Sequence, residues 1–123
     1  MANVHNLSKS EWRSFFDRTS KALLGTSAEI EVASLDLGDQ IVAEWIPLLG
    51  ITYDSQDDLM DVALERFDHL IHGPKEISVE ESPAGVESIA IVDADGARQV
   101  VRFKEPLFLP PAAVGAAATK ARR

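Results

Sequence analysis

The chain has 123 residues, of which 46% are hydrophobic and 26% charged, with a net charge of −8 and no cysteine. That length predicts one domain, able to bury about two-thirds of the surface its unfolded form exposes. The missing cysteines exclude thiolate catalysis, iron–sulfur ligation and Cys-zinc sites, the acidic balance disfavours nucleic acid, and no apolar run approaches the roughly 20 residues a membrane helix needs.

The N-terminal segment lacks the basic and apolar blocks of a secretory signal, so a soluble, cytoplasmic protein is expected. Ser8 and Glu11 then form a capping box, Leu7 and Trp12 occupy the positions of a hydrophobic staple, and Gly25 supplies a stop. Together they predict a helix of about 16 residues. Trp12, Phe15, Phe16, Thr19 and Leu23 fall on one stripe, which is expected to pack on a sheet.

After Gly25 the hydrophobic period changes to 2. Ala28, Ile30 and Val32 alternate with Glu29 and Glu31 and read as a half-buried strand, followed by a turn at residues 36–39. The next run places Ile41, Ala43 and Trp45 on one face, read as the core side, and Val42, Glu44 and Ile46 on the other, with Pro47 marking a kink or an edge. A separate short strand is predicted for residues 50–54. Residues 59–72 fit both templates; a strand is favoured for 59–65 and an irregular or helical turn for 66–72, ended by Gly73 and Pro74. Turns at 82–85 and 93–96 separate the last three strands into a meander. The fold class that results is α+β: an N-terminal amphipathic helix on a twisted antiparallel sheet of six or seven strands, with a small barrel as its curled form. Residues 1–111 are expected to form the domain, and 112–123 a flexible, Ala-rich tail made basic by Lys120, Arg122 and Arg123.

Trp12, Phe15 and Phe16, the run Glu29 to Val32, Gly38 to Gln40, Glu44 to Leu48, Gly50 to Asp54, Asp57 and Asp58, Asp68 to Ile71 and Pro74 to Ile77 together carry a likeness. From about Trp12 to Pro110, the chain resembles a family of small bacterial proteins classed as a domain of unknown function. The resemblance implies a shared fold and brings no activity, cofactor or catalytic residue.

Few residues are arranged as chemistry requires. His69 and His72 stand at i, i+3, one side of a helical turn but opposite faces of a strand, and zinc would need a third ligand, so no metal is predicted. The acidic turn at 54–58 has Gln56 and Leu59 where a calcium loop needs an acid and a glycine. Nucleophile-elbow, zincin and P-loop signatures are absent. What remains is a pocket where Tyr53, Asp68 and His69 converge, with His72 beside it, and an interface at Trp45, Val42 and Ile46. Arg98, Arg102 and Lys104 share a strand face, read as solvated, with Glu87 a pairing partner for one of them. The leading expectation is a non-enzymatic interaction or accessory domain without a cofactor, binding itself or another protein. A small-ligand domain or minor enzyme is the alternative, and neither nucleic acid nor membrane is expected as a partner.

Overall fold

The computed structural model describes residues 3–22 and 26–107. The capping box forms: the Ser8 N–H and hydroxyl both donate to Glu11 Oε1, at 3.0 and 2.9 Å, and hold the Glu11 carboxyl below its ordinary pKa. The first turn winds as a 3-10 segment, Lys9–Glu11, and α1 follows over Trp12–Lys21. This helix is shorter than expected; Leu23 and Gly25, the predicted last stripe residue and stop, lie outside the described residues. Trp12, Phe15, Phe16 and Thr19 are buried as one stripe, with Thr19 returning its hydroxyl to the Phe15 carbonyl at 2.9 Å. Trp12 meets Tyr53 edge-on at 5.1 Å and donates its indole N–H to the Leu7 carbonyl at 3.3 Å.

Eight antiparallel strands form one sheet: β1 (Asn3–Leu7), β2 (Ser27–Ser34), β3 (Gly38–Asp54), β4 (Leu59–Leu64), β5 (Asp68–His72), β6 (Glu76–Ser82), β7 (Gly85–Val92) and β8 (Arg98–Leu107). Their spatial order is β1-β6-β7-β8-β2-β3-β4-β5, so the sheet has two ends and no closed barrel. The architecture is broadly α+β, with more strands than the six or seven expected. Three local readings account for the difference. Residues 3–7 pair with β6, where the polar, exposed sequence offered no alternation to detect. Residues 68–72 pair with β4 and are not an irregular turn. The two runs expected as separate strands around Pro47 are one strand of 17 residues.

That long strand changes partner along its length. Up to Pro47 it pairs with β2, and from Leu48 onward with β4, so each half has one edge without a ladder. Pro47, which has no N–H, stands at the changeover, and its carbonyl accepts the Glu65 N–H at 2.9 Å. Helix α1 covers the free edge of the second half. Ser20 donates its hydroxyl to the Ile51 carbonyl at 2.8 Å and accepts the Ile51 N–H at 3.0 Å, replacing the missing strand at one residue.

The far end of the sheet folds back. Gly73, at φ +59, holds the turn between β5 and β6 so close to the β7–β8 hairpin that a Cβ there would stand 2.8 Å from the Ala94 Cβ. The Lys75 N–H donates to the Val92 carbonyl at 2.7 Å and the Ala94 N–H to the His72 carbonyl at 3.4 Å. These contacts bring the inner face of β5 against β8. Between them the inner faces of the strands bury Ile30, Ile51, Met60, Val62, Ile71, Ile77, Val79, Ile89 and Val101 against the helix aromatics.

Replacing Ser20 by alanine leaves both backbone groups of Ile51 unpaired beneath the helix. Urea unfolding of Ser20→Ala is expected to show a loss of about 1–3 kcal/mol with an unchanged m-value; a midpoint equal to the parent's would show that water replaces the hydroxyl at no cost.

Candidate functional site

Trp45 lies where two irregularities meet. Between Ala28 and Ile30, and again between Ile30 and Glu31, β3 carries an extra residue relative to β2. Each bulge shifts the alternation by one, so Ala43 is buried and Ile46 packs on the core although they are three residues apart. The expected faces are therefore corrected: Ile46 turns inward, while Trp45 and Ile41 turn out, at 39% and 50% exposure. Val42 is exposed as expected, and Leu49 adds a fourth apolar side chain along the same strand at 64%. Trp45 has φ +51, a left-handed backbone that a bulky side chain adopts only against steric opposition.

The proposed convergence of Tyr53, Asp68 and His69 does not occur. Tyr53 is buried beside Trp12 and donates its hydroxyl to Asp58 Oδ1 at 2.7 Å; burial first, then the Asp58 contact, pushes its pKa up to about 12. His69 and His72 belong to a strand, so they face opposite ways: Val62, opposite His69, is buried, and His72 is exposed. Asp68 also faces outward, beside Asp61 of β4.

His69 enters a chain of polar groups instead. Its Nε2 lies 2.5 Å from Gln99 Oε1, and Gln99 Nε2 donates to Asp93 Oδ2 at 2.8 Å. Asp93 Oδ1 accepts the N–H groups of Asp95 and Ala97, at 2.9 and 3.0 Å. The Asp93 carboxylate can only accept, which fixes the Gln99 amide, and that orientation makes His69 Nε2 the donor in either charge state. Gln99 and Asp93 are both buried. The chain pins the β7–β8 hairpin to β5. Gln99 was legible in principle, because it shares the parity of the buried Val101 and Phe103 and breaks their apolar pattern.

On the outer face, Arg102 pairs with Glu31 at 2.8 Å and Glu29 at 3.4 Å, both on β2, so the expected partner Glu87 is replaced. The guanidinium of Arg102 holds the Glu31 carboxyl below its ordinary pKa. Around this pair, side chains from β2, β3, β6, β7 and β8 line a cavity of about 280 Å³, bordered by Arg98, Asp39, Glu80 and Ser88. Among the described residues, no group of three His, Asp or Glu side chains is placed to hold a metal ion, and no helix is long and apolar enough to cross a membrane.

The curled eight-stranded sheet with one short helix defines a small α+β domain. The chain belongs to a family of unknown function, DUF5335, whose model matches residues 3–112. It is 41% identical over 103 residues to an uncharacterized protein of the bacterium Aquifex aeolicus (strain VF5), which covers 83% of this chain and 93% of that protein. No solved structure matches.

Asp61 is the outer-face group whose ionisation opposes the fold. Burial first, then the Asp68 charge, raises its pKa above the ordinary 3.8, and its Oδ1 is buried without a partner. A raised carboxyl favours the folded state while protonated and loses that contribution as pH rises through the folded value. Asp61→Asn is therefore expected to stabilise at pH 7 by roughly 0.5–1 kcal/mol, the size of a like-charge cross-strand contact, and the gain should shrink toward zero as pH falls to the ordinary aspartate range. Thermal unfolding at a series of pH values checks this; a pH-independent gain would reject the ionisation argument.

Proposed function

We propose that this chain is a non-enzymatic protein-interaction domain of the cytoplasm, and that it docks through the exposed apolar side chains of β3. The observation that carries the reading is Trp45. A tryptophan with left-handed backbone geometry costs about 1–2 kcal/mol relative to a glycine, and 39% of this one stays open to solvent. The exposed part of the ring, held in place by a strained backbone, favours a role outside the fold. Ile41, Val42 and Leu49 are further exposed apolar side chains on the same strand.

The mode of docking follows from the bulges. Strand addition needs an even row of backbone groups, and two extra residues within one short stretch of β3 break that row. Contact through side chains, with Trp45 as anchor, suits this surface better. Charge favours a particular partner chemistry. Asp39 precedes the apolar residues and Glu44 stands among them on a chain of net charge −8, so a second copy meets like charge, whereas a different protein offering an apolar anchor between Lys or Arg residues meets its complement. The cysteine-free composition suits a reducing compartment.

A photo-crosslinking amino acid at Leu49, used in the native host, tests the reading. The expected product is a crosslink to a protein with a basic segment, lost on Trp45→Asn, while purified Trp45→Asn is as stable as the parent or more so by up to about 1 kcal/mol, because asparagine tolerates the left-handed backbone. Crosslinks only between copies would replace the partner with a homodimer, and crosslinks indifferent to Trp45→Asn would overturn the anchor.

A further inference from the structure

The cavity on the outer face of the sheet is a second surface, independent of Trp45. Its walls come from strands that are far apart in the order: Glu80 belongs to β6 and Asp39 to β3, with β7, β8 and β2 between them. On a flat sheet those two rows would stand roughly 19 Å apart, at about 4.8 Å per strand. Here the twisted sheet and the long side chains bring both to one hollow of about 280 Å³. That volume lies at the lower limit of small-molecule sites, about 300 Å³, and suits a molecule of a few heavy atoms rather than a nucleotide.

Some of the lining groups are already engaged and hold the others in place. Arg102 is fixed by Glu29 and Glu31, and Ser88 donates its hydroxyl to Glu80 at 2.9 Å. Arg98 is different. It lines the same cavity, yet among the described residues its guanidinium has no ion pair. Asp39 and Glu31 line the cavity with it, so two carboxyl groups share the site and only Glu31 has a cation partner, Arg102. Ala33, which stands between Asp39 and Arg98 in the register, and Val100 give the cavity its apolar lining.

A free guanidinium on one side, excess carboxylate on the other and a small apolar lining between them match one chemical class. We infer that the outer-face cavity binds a small zwitterion carrying both a carboxylate and an ammonium group, such as a free α-amino acid with a short side chain. Arg98 takes the ligand carboxylate in its planar fork, the Asp39 and Glu31 carboxylates take the ammonium, and the side chain rests on Ala33 and Val100. Neither charged end alone satisfies both walls. An amine leaves Arg98 unanswered, and a carboxylate adds a fourth negative group to a site that already holds Glu31, Asp39 and Glu80.

Titration of the isotopically labelled full chain with L-alanine, followed by amide chemical shifts, tests the inference. The comparators are ethylamine and propionate, each of which lacks one of alanine's charged groups. Saturable shifts at Ala33, Arg98 and Val100 are expected with alanine in the millimolar range or tighter, with each comparator weaker by about tenfold or more. Arg98→Met and Asp39→Asn should each weaken alanine by about tenfold, while unchanged melting temperatures and spectra show that both variants remain folded. Three results would each overturn it: no saturable shift with alanine up to about 50 mM, a comparator that binds as tightly as alanine, or variants that bind alanine like the parent.

Discussion

Backbone pairing along β3 is the constraint on which the rest of the structure depends. A strand that changes partner at mid-length leaves two half-edges, and a buried N–H or carbonyl without a partner costs about 1–3 kcal/mol. The two halves meet the requirement differently. Behind Ile51 the helix lies across the edge, and one serine hydroxyl both donates and accepts there. This places α1, and with it Trp12, Phe15 and Phe16, over the inner face of the sheet. The first half, residues 38–47, has no such cover among the described residues. Its bulges do what the helix does elsewhere: they spoil the edge as a template for another strand while turning Ile41 and Trp45 outward.

Polar contacts inside the core finish what the ladder begins. The curled sheet remains open, yet β5 is tied to β8 through His69, Gln99 and Asp93, and the turn at Gly73 fits against Ala94 with no room for a side chain. On the outer face, burial and the charge of the neighbouring Asp68 work against the ionisation of Asp61.

The sequence carried the pattern of the fold more reliably than its exceptions. The capping box, the helix stripe, the hairpins at residues 82–85 and 93–96 and the alternation of β2 were all legible, because each is set by neighbours within a few residues. Trp45 was misassigned for a physical reason. A period of 2 assumes no extra residues, and the bulges that turn Ile41 out on one side of Ala43 and reverse Trp45 and Ile46 on the other are created by pairing with β2, which no local window contains. β5 was missed on similar grounds, since its Asp68, Leu70 and His72 face solvent and only Ile71 is deeply buried. Of the candidate site, Arg98 and Arg102 were visible as a shared strand face. What the sequence did not show was that Asp39 and Glu80, from strands four places apart in the order, join them in one cavity.

Two surfaces of opposite character thus share β3. Asp39 points into the charged cavity, and Ile41, Val42, Trp45 and Leu49 form the apolar stretch that begins two residues later. The bulges between Ile41 and Ile46 interrupt the run, since a regular strand would carry the alternation of Asp39 and Ile41 onward to Ala43 and Trp45 on one face. Instead Ala43 returns to the core, and Trp45 leaves it with strained backbone geometry. A strand that had only to complete the sheet would need neither bulge nor a left-handed tryptophan. Both are local costs to folding, and both act in the same sense, to present large apolar side chains beside a face built of charge.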